Sequence, residues 1–88
     1  MDEKTAYKKM MQYVNDNMPD QYIYMMWDYK DAYMFLILDK GTTAKDYDCV
    51  FSSVYILYKS TGDIVQDSAY ILDEPIGKLL VLNDKKRV

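Results

Sequence analysis

The chain contains no histidine. That removes the commonest general base, the usual catalytic triad and most zinc sites. Cysteine occurs once, at Cys49, so no internal disulfide can form and nothing points to an oxidising compartment. Flanked by Asp48 and Val50, Cys49 is a poor nucleophile and reads as a small buried residue at a strand start. Glycine is confined to Gly41, Gly62 and Gly77, which excludes a glycine-rich phosphate loop. Long apolar runs are missing too. No segment reaches the roughly 20 residues of a bilayer span, and the opening MDEKTAYKK lacks the apolar stretch of a signal peptide. The expectation is a cytoplasmic protein that does not contact membranes.

What is present is apolar and aromatic. Half of the 88 residues are hydrophobic, with ten tyrosines and seven methionines. A length of 88 residues predicts one domain, 1–88, at the small end of what folds alone. Tyrosine and methionine fill cores and also serve contact surfaces. Charge is uneven along the chain. Residues 19–75 carry ten acids against Lys30, Lys40, Lys45 and Lys59, a net of −6. From Ile76 onward, Lys78, Lys85, Lys86 and Arg87 oppose only Asp84. Aromatic residues on a sheet can stack single-stranded nucleic acid, but that mode needs basic neighbours. The acidic middle argues against a nucleic-acid partner.

Periodicity predicts the elements. Ala6, Tyr7, Met10, Met11, Val14 and Met18 recur at spacings of three and four, one apolar stripe of a helix over 2–18. Asp2 and Glu3 suit its N-terminus, and Asn17 and Pro19 its stop. QYIYMMWDY and AYMFLILD, 21–29 and 32–39, read as a hairpin turning at Lys30-Asp31. That register sets Trp27 opposite Met34, Met25 opposite Leu36 and Ile23 opposite Leu38, on the side expected to lie under the helix. Residues 49–59 and 64–72 read as a second hairpin around STGD. A Thr61-Gly62 loop sets Tyr58 opposite Val65, Ile56 opposite Asp67 and Val54 opposite Ala69. Residues 73–82 carry Asp73 as a cap and Pro75 in a first turn, which favours a short helix; a fifth strand is the alternative. The predicted fold is α+β: an N-terminal helix on a four-stranded antiparallel sheet of two hairpins, closed by a short helix or fifth strand.

In the first hairpin both sides are apolar, and a one-residue slip exchanges one greasy set for another. One helix covers one side. The other needs cover from the C-terminal segment and the polar loop 39–48, or from another chain. The candidate partner-binding residues are the aromatic Tyr22, Tyr24, Phe35 and Tyr55, with Asp39, Asp46 and Asp48 to steer a basic target. The three aspartates do not match a calcium loop in spacing and lack its glutamate. No catalytic residue, metal ligand or cofactor site is expected, and the chain does not read as an enzyme.

The order helix, hairpin, hairpin, with an apolar strand running into YKSTGDIV at 58–65 and a closing short element, resembles small immunity proteins of bacterial toxin systems. The resemblance covers residues 22–80. It implies a small protein-binding module that occludes a cognate toxin in the producing cell. A phage-encoded anti-defence inhibitor has the same sequence character. A structural homodimer joined through its aromatic faces is the rival reading, and an enzyme or ligand carrier with a pocket between helix and sheet is the third.

Overall fold

The helix begins where its first backbone donors find an acceptor. The Asp2 carboxylate accepts from the Thr5 N–H at 2.7 Å, and α1 runs Glu3–Asn17. Hydrogen bonding from Thr5, by its side chain and then its backbone, holds the Asp2 carboxyl below its usual value. At the other end the Met18 N–H still reaches Val14 O at 2.7 Å, and Pro19 stops the ladder. The computed structural model describes residues 1–41, 54–67 and 78–83. Within them α1 is followed by β1 (Gln21–Tyr29), β2 (Ala32–Asp39), β3 (Val54–Tyr58), β4 (Ile64–Asp67) and β5 (Lys78–Leu82). The strands form one antiparallel sheet in the order β4-β3-β2-β1-β5. The fold is thus α+β, one N-terminal helix on a five-stranded sheet.

The predicted stripe narrows in the structure. Ala6, Met10 and Val14 are buried, Tyr7 and Met18 are half-buried, and Met11 is 41% exposed on the helix flank. The buried three meet Ile23, Met26, Tyr33, Phe35, Ile37, Tyr55 and Leu57. Burying side chains of the size of Met10 or Val14 contributes roughly 1.5–3 kcal/mol each.

The first hairpin turns at Lys30-Asp31, and its pairing follows the expected register from Tyr29–Ala32 through Trp27–Met34 to Met25–Leu36. It then shifts. Ile23 pairs with Ile37, not Leu38, because an extra residue enters β1 at Tyr24. The bulge turns Ile23 toward the helix and leaves Tyr24 and Met25 together on the far side. Trp27 and Met34 are cross-strand neighbours as expected, but they also lie on the far side, with Tyr29, Leu36, Leu38, Val54 and Ile56. The helix packs on the side of Met26 and Phe35 instead. Hydrophobicity could not choose, since both sides are apolar. The choice falls to the three-residue link after α1, where Gln21 N donates to Met18 O at 2.9 Å and Lys40 N to Asp20 O at 2.9 Å.

The second hairpin has a longer loop than expected. Tyr58 N donates to Asp63 O at 3.0 Å and Gly62 N to Tyr58 O at 2.8 Å, so residues 59–62 all lie in the loop. Gly62 adopts φ +77, and a Cβ there would meet Lys9 Nζ at 2.6 Å. The register therefore moves by two: Ile56 faces Val65, and Val54 faces Asp67. Asp67 is not beside Ile56 but opposite Val54, at the end of β4. The outer parts of these two predicted strands, 49–53 and 68–72, lie outside the described residues.

The C-terminal segment is corrected. Residues 78–82, favoured above as helix, form β5 beside β1, with Met25 opposite Leu82 and Asp28 opposite Lys78. Pairing with the open edge of β1 outweighs the local cap signals; Asp73 and Pro75 lie outside the described residues.

A candidate partner-binding edge

The sequence placed four aromatic residues on one binding face. The structure divides them. Phe35 is fully buried beneath α1, and Tyr55 lies beside it, its hydroxyl donating to Met18 Sδ at 3.3 Å and its ring 6.1 Å from that of Tyr13. Tyr22 and Tyr24 lie on the opposite side, their rings edge to face at 6.3 Å. Tyr22 is half-buried and Tyr24 is 4% exposed. The far side as a whole is buried, from Trp27 to Ile56, although no described helix or strand forms a layer over it. It is not an open apolar patch. Asp39 is exposed and accepts from Gln21 Nε2 at 2.8 Å; Asp46 and Asp48 lie outside the described residues.

Exposed apolar surface sits elsewhere. Leu79 and Leu82 on β5 are 43% and 49% exposed, and Val65 on β4 is 45% exposed. β4 and β5 are the two edges of the sheet, each with backbone groups on one side unpaired by any described strand. Beside β5, α1 leaves a cleft of about 820 Å³ lined by Asp2, Glu3, Lys4, Tyr7, Lys8, Met11 and Val81. A second cleft of about 340 Å³ also borders Tyr7 and Met11 and extends to Tyr22, Ile23, Lys40 and Asn83. An open strand edge next to an apolar groove is the arrangement that accepts an extended segment by strand addition, the backbone pairing with the edge and alternate side chains entering the groove.

β5 is held at its end by Asn83. Its N–H donates to Tyr24 O at 2.8 Å, and its side-chain amide donates to Ile23 O at 2.9 Å and to the Tyr7 hydroxyl at 3.2 Å. Carbonyls exposed by the β1 bulge thus serve to dock β5 and join it to the helix. At the opposite end of the sheet Lys59 Nζ lies 2.6 Å from Asp28 Oδ1, 3.1 Å from Lys30 O and 4.7 Å from the centre of the Tyr33 ring. The hydrogen bond to Asp28 raises the Lys59 ammonium above its usual value, with desolvation opposing it.

Among the described residues no cluster of three acidic, histidine or cysteine side chains is placed to hold a metal ion, and no helix is long and apolar enough to cross a membrane. Sequence reasoning missed the β5 edge. KLLVL at 78–82 was its only signal, and the groove depends on β5 lying beside β1, which no local pattern encodes. Comparisons of the chain with protein-family models, with curated proteins and with solved structures give no match.

Proposed function

We propose that this chain is a small protein-binding module of the cytoplasm, an inhibitor of the immunity type that occludes a cognate bacterial toxin. The observation that carries the reading is the open β5 edge beside the α1 cleft. It combines backbone that no described strand pairs, exposed Leu79 and Leu82, and a groove bordered by Tyr7 and Met11. Strand addition of this kind draws affinity from main-chain hydrogen bonds and specificity from the groove. Exposed acids such as Asp39 add long-range attraction toward a basic target.

The test pairs the chain with the product of the neighbouring gene. Co-expression should relieve that product's toxicity, and the two proteins should co-purify. Leu79→Asp and Met11→Asp should abolish both effects while circular dichroism stays native. A neighbour that is not toxic, or relief that survives both substitutions, overturns the proposal.

A further inference from the structure

No described strand pairs with the outer side of β5, and an irregularity in β5 sorts its side chains. Val81 lies opposite Met26 and Leu79 opposite Trp27, so Leu80 is an extra residue, a bulge. Leu80 and Val81 both pack on the helix side. Leu79 and Leu82, opposite Trp27 and Met25, lie on the far side and are exposed. Lys78 and Asn83, next to them at the two ends, return to the helix side. Asn83 uses its amide hydrogens within the chain, on Ile23 O and the Tyr7 hydroxyl, and no described residue donates to its Oδ1. Lys78 is the one charged side chain of β5. In the cleft beside it Asp2 and Glu3 balance Lys4 and Lys8.

We infer that two copies of this chain pair β5 against β5, antiparallel about a two-fold axis between Leu80 and Val81, and so join their sheets into one. This register sets Leu79 opposite Leu82 of the second copy, Leu80 opposite its Val81 and Lys78 opposite its Asn83. Each pair then joins side chains of one side of the sheet, as cross-strand pairing requires. A register centred on Leu80 sets Leu79 opposite Val81, on different sides, and fails that requirement. The exposed leucines of both copies meet on the far side. On the helix side each Lys78 ammonium faces an Asn83 Oδ1 that needs a donor. The two Lys78 residues stand five positions apart along the seam, roughly 16 Å, beyond the Debye length of about 8 Å at physiological salt. With the cleft charges balanced, no excess of like charge opposes the joint. The interface is isologous and closes at two copies. It occupies the edge offered above to a toxin, so a second copy and a target exclude each other. The free protein thereby keeps its apolar edge covered against indiscriminate strand pairing.

Sedimentation velocity on the full chain over a wide concentration range tests this. The weight-average mass of the parent should rise about twofold and stop there. Leu79→Lys and Leu82→Glu, both at exposed positions, should each remain monomeric at the same concentrations, with native circular dichroism. An equimolar mixture of the two variants should pair again, because the introduced lysine of one then faces the introduced glutamate of the other. A concentration-independent monomer overturns the inference. So does a mass that climbs past two copies, a dimer that both variants leave intact, or a mixture that stays monomeric. Relief of toxicity needs only a single copy with its edge open, so failure of the dimer and failure of the inhibitor reading are told apart.

Discussion

The Asn83 side-chain amide lies 2.9 Å from the carbonyl of Ile23, the residue that the β1 bulge turns toward the helix. The same amide reaches the Tyr7 hydroxyl at 3.2 Å. One side chain therefore ties the edge strand, the irregular part of β1 and the helix together. A carbonyl left half-buried without its donor costs about 1–3 kcal/mol. Asn83→Ala should lower stability by that amount, and the melting temperature by roughly 4–8 °C per kcal/mol for a domain of this size. Thermal denaturation measures it. A variant that melts with the parent would mean that β5 is anchored by its ladder to β1 alone.

The buried far side of the sheet changes what truncation there should do. Had Tyr24 been an exposed anchor, removing its ring would leave the fold intact. It is 4% exposed, and Trp27 is 5% exposed. Replacing large buried aromatic residues with alanine typically costs about 3–5 kcal/mol, a large part of the stability of a small domain. Trp27→Ala and Tyr24→Ala should each move the urea midpoint sharply downward or leave the chain unfolded. Near-parental midpoints for both would show that this side is open to solvent.

The helix and the first hairpin were legible for a physical reason. A 3.6-residue stripe and two apolar runs broken by Lys30-Asp31 each permit few arrangements. The side chosen by the helix was not legible, because Met26 and Phe35 are no more apolar than Trp27 and Met34. Assigning Tyr24 and Phe35 to one binding face failed for the same reason, compounded by the bulge. The second hairpin slipped by two because a four-residue loop and a two-residue loop place the same side chains on the same faces. β5 was ambiguous locally and was decided by a partner strand some fifty residues earlier. The groove along α1 exists only after that long-range choice, so no motif could have announced it.

The Lys59–Asp28 contact makes a prediction about alkaline pH. Folding raises the Lys59 pKa, so the folded state favours the charged ammonium. The stabilisation is complete below the unfolded value of 10.5 and fades as pH rises through the folded value. Urea unfolding followed from about pH 8 to about pH 11 should show stability falling over the upper part of that range. Lys59→Met should lower stability at the neutral end and flatten the alkaline fall. Since both partners are partly exposed, added salt should weaken the difference between the two proteins. Identical alkaline slopes for parent and variant would remove Lys59 from the account of pH dependence.

The turn of the first hairpin stores local strain that can be relieved. Lys30 adopts φ +53, a left-handed conformation that costs an ordinary L-residue roughly 1–2 kcal/mol. Glycine adopts it freely but brings about 0.5–1 kcal/mol of extra unfolded-chain entropy. Lys30, itself exposed, also lies 5.1 Å from the centre of the ring of the buried Tyr29, a contact worth about 0.5 kcal/mol that glycine loses. The net change for Lys30→Gly is therefore small, between nothing and about 1 kcal/mol of stabilisation. Valine is the opposite case, since its branched Cβ is least tolerant of positive φ and supplies no charge over the ring. Lys30→Val should lower stability by at least about 1 kcal/mol. The informative quantity is the gap between the two variants, which share the loss of the lysine head group and differ in backbone tolerance. It should appear as several degrees in melting temperature, with the glycine variant higher. A valine variant that melts at or above the glycine variant would show that residue 30 does not hold the left-handed conformation in solution, and the register from Tyr29–Ala32 onward would need to be redrawn.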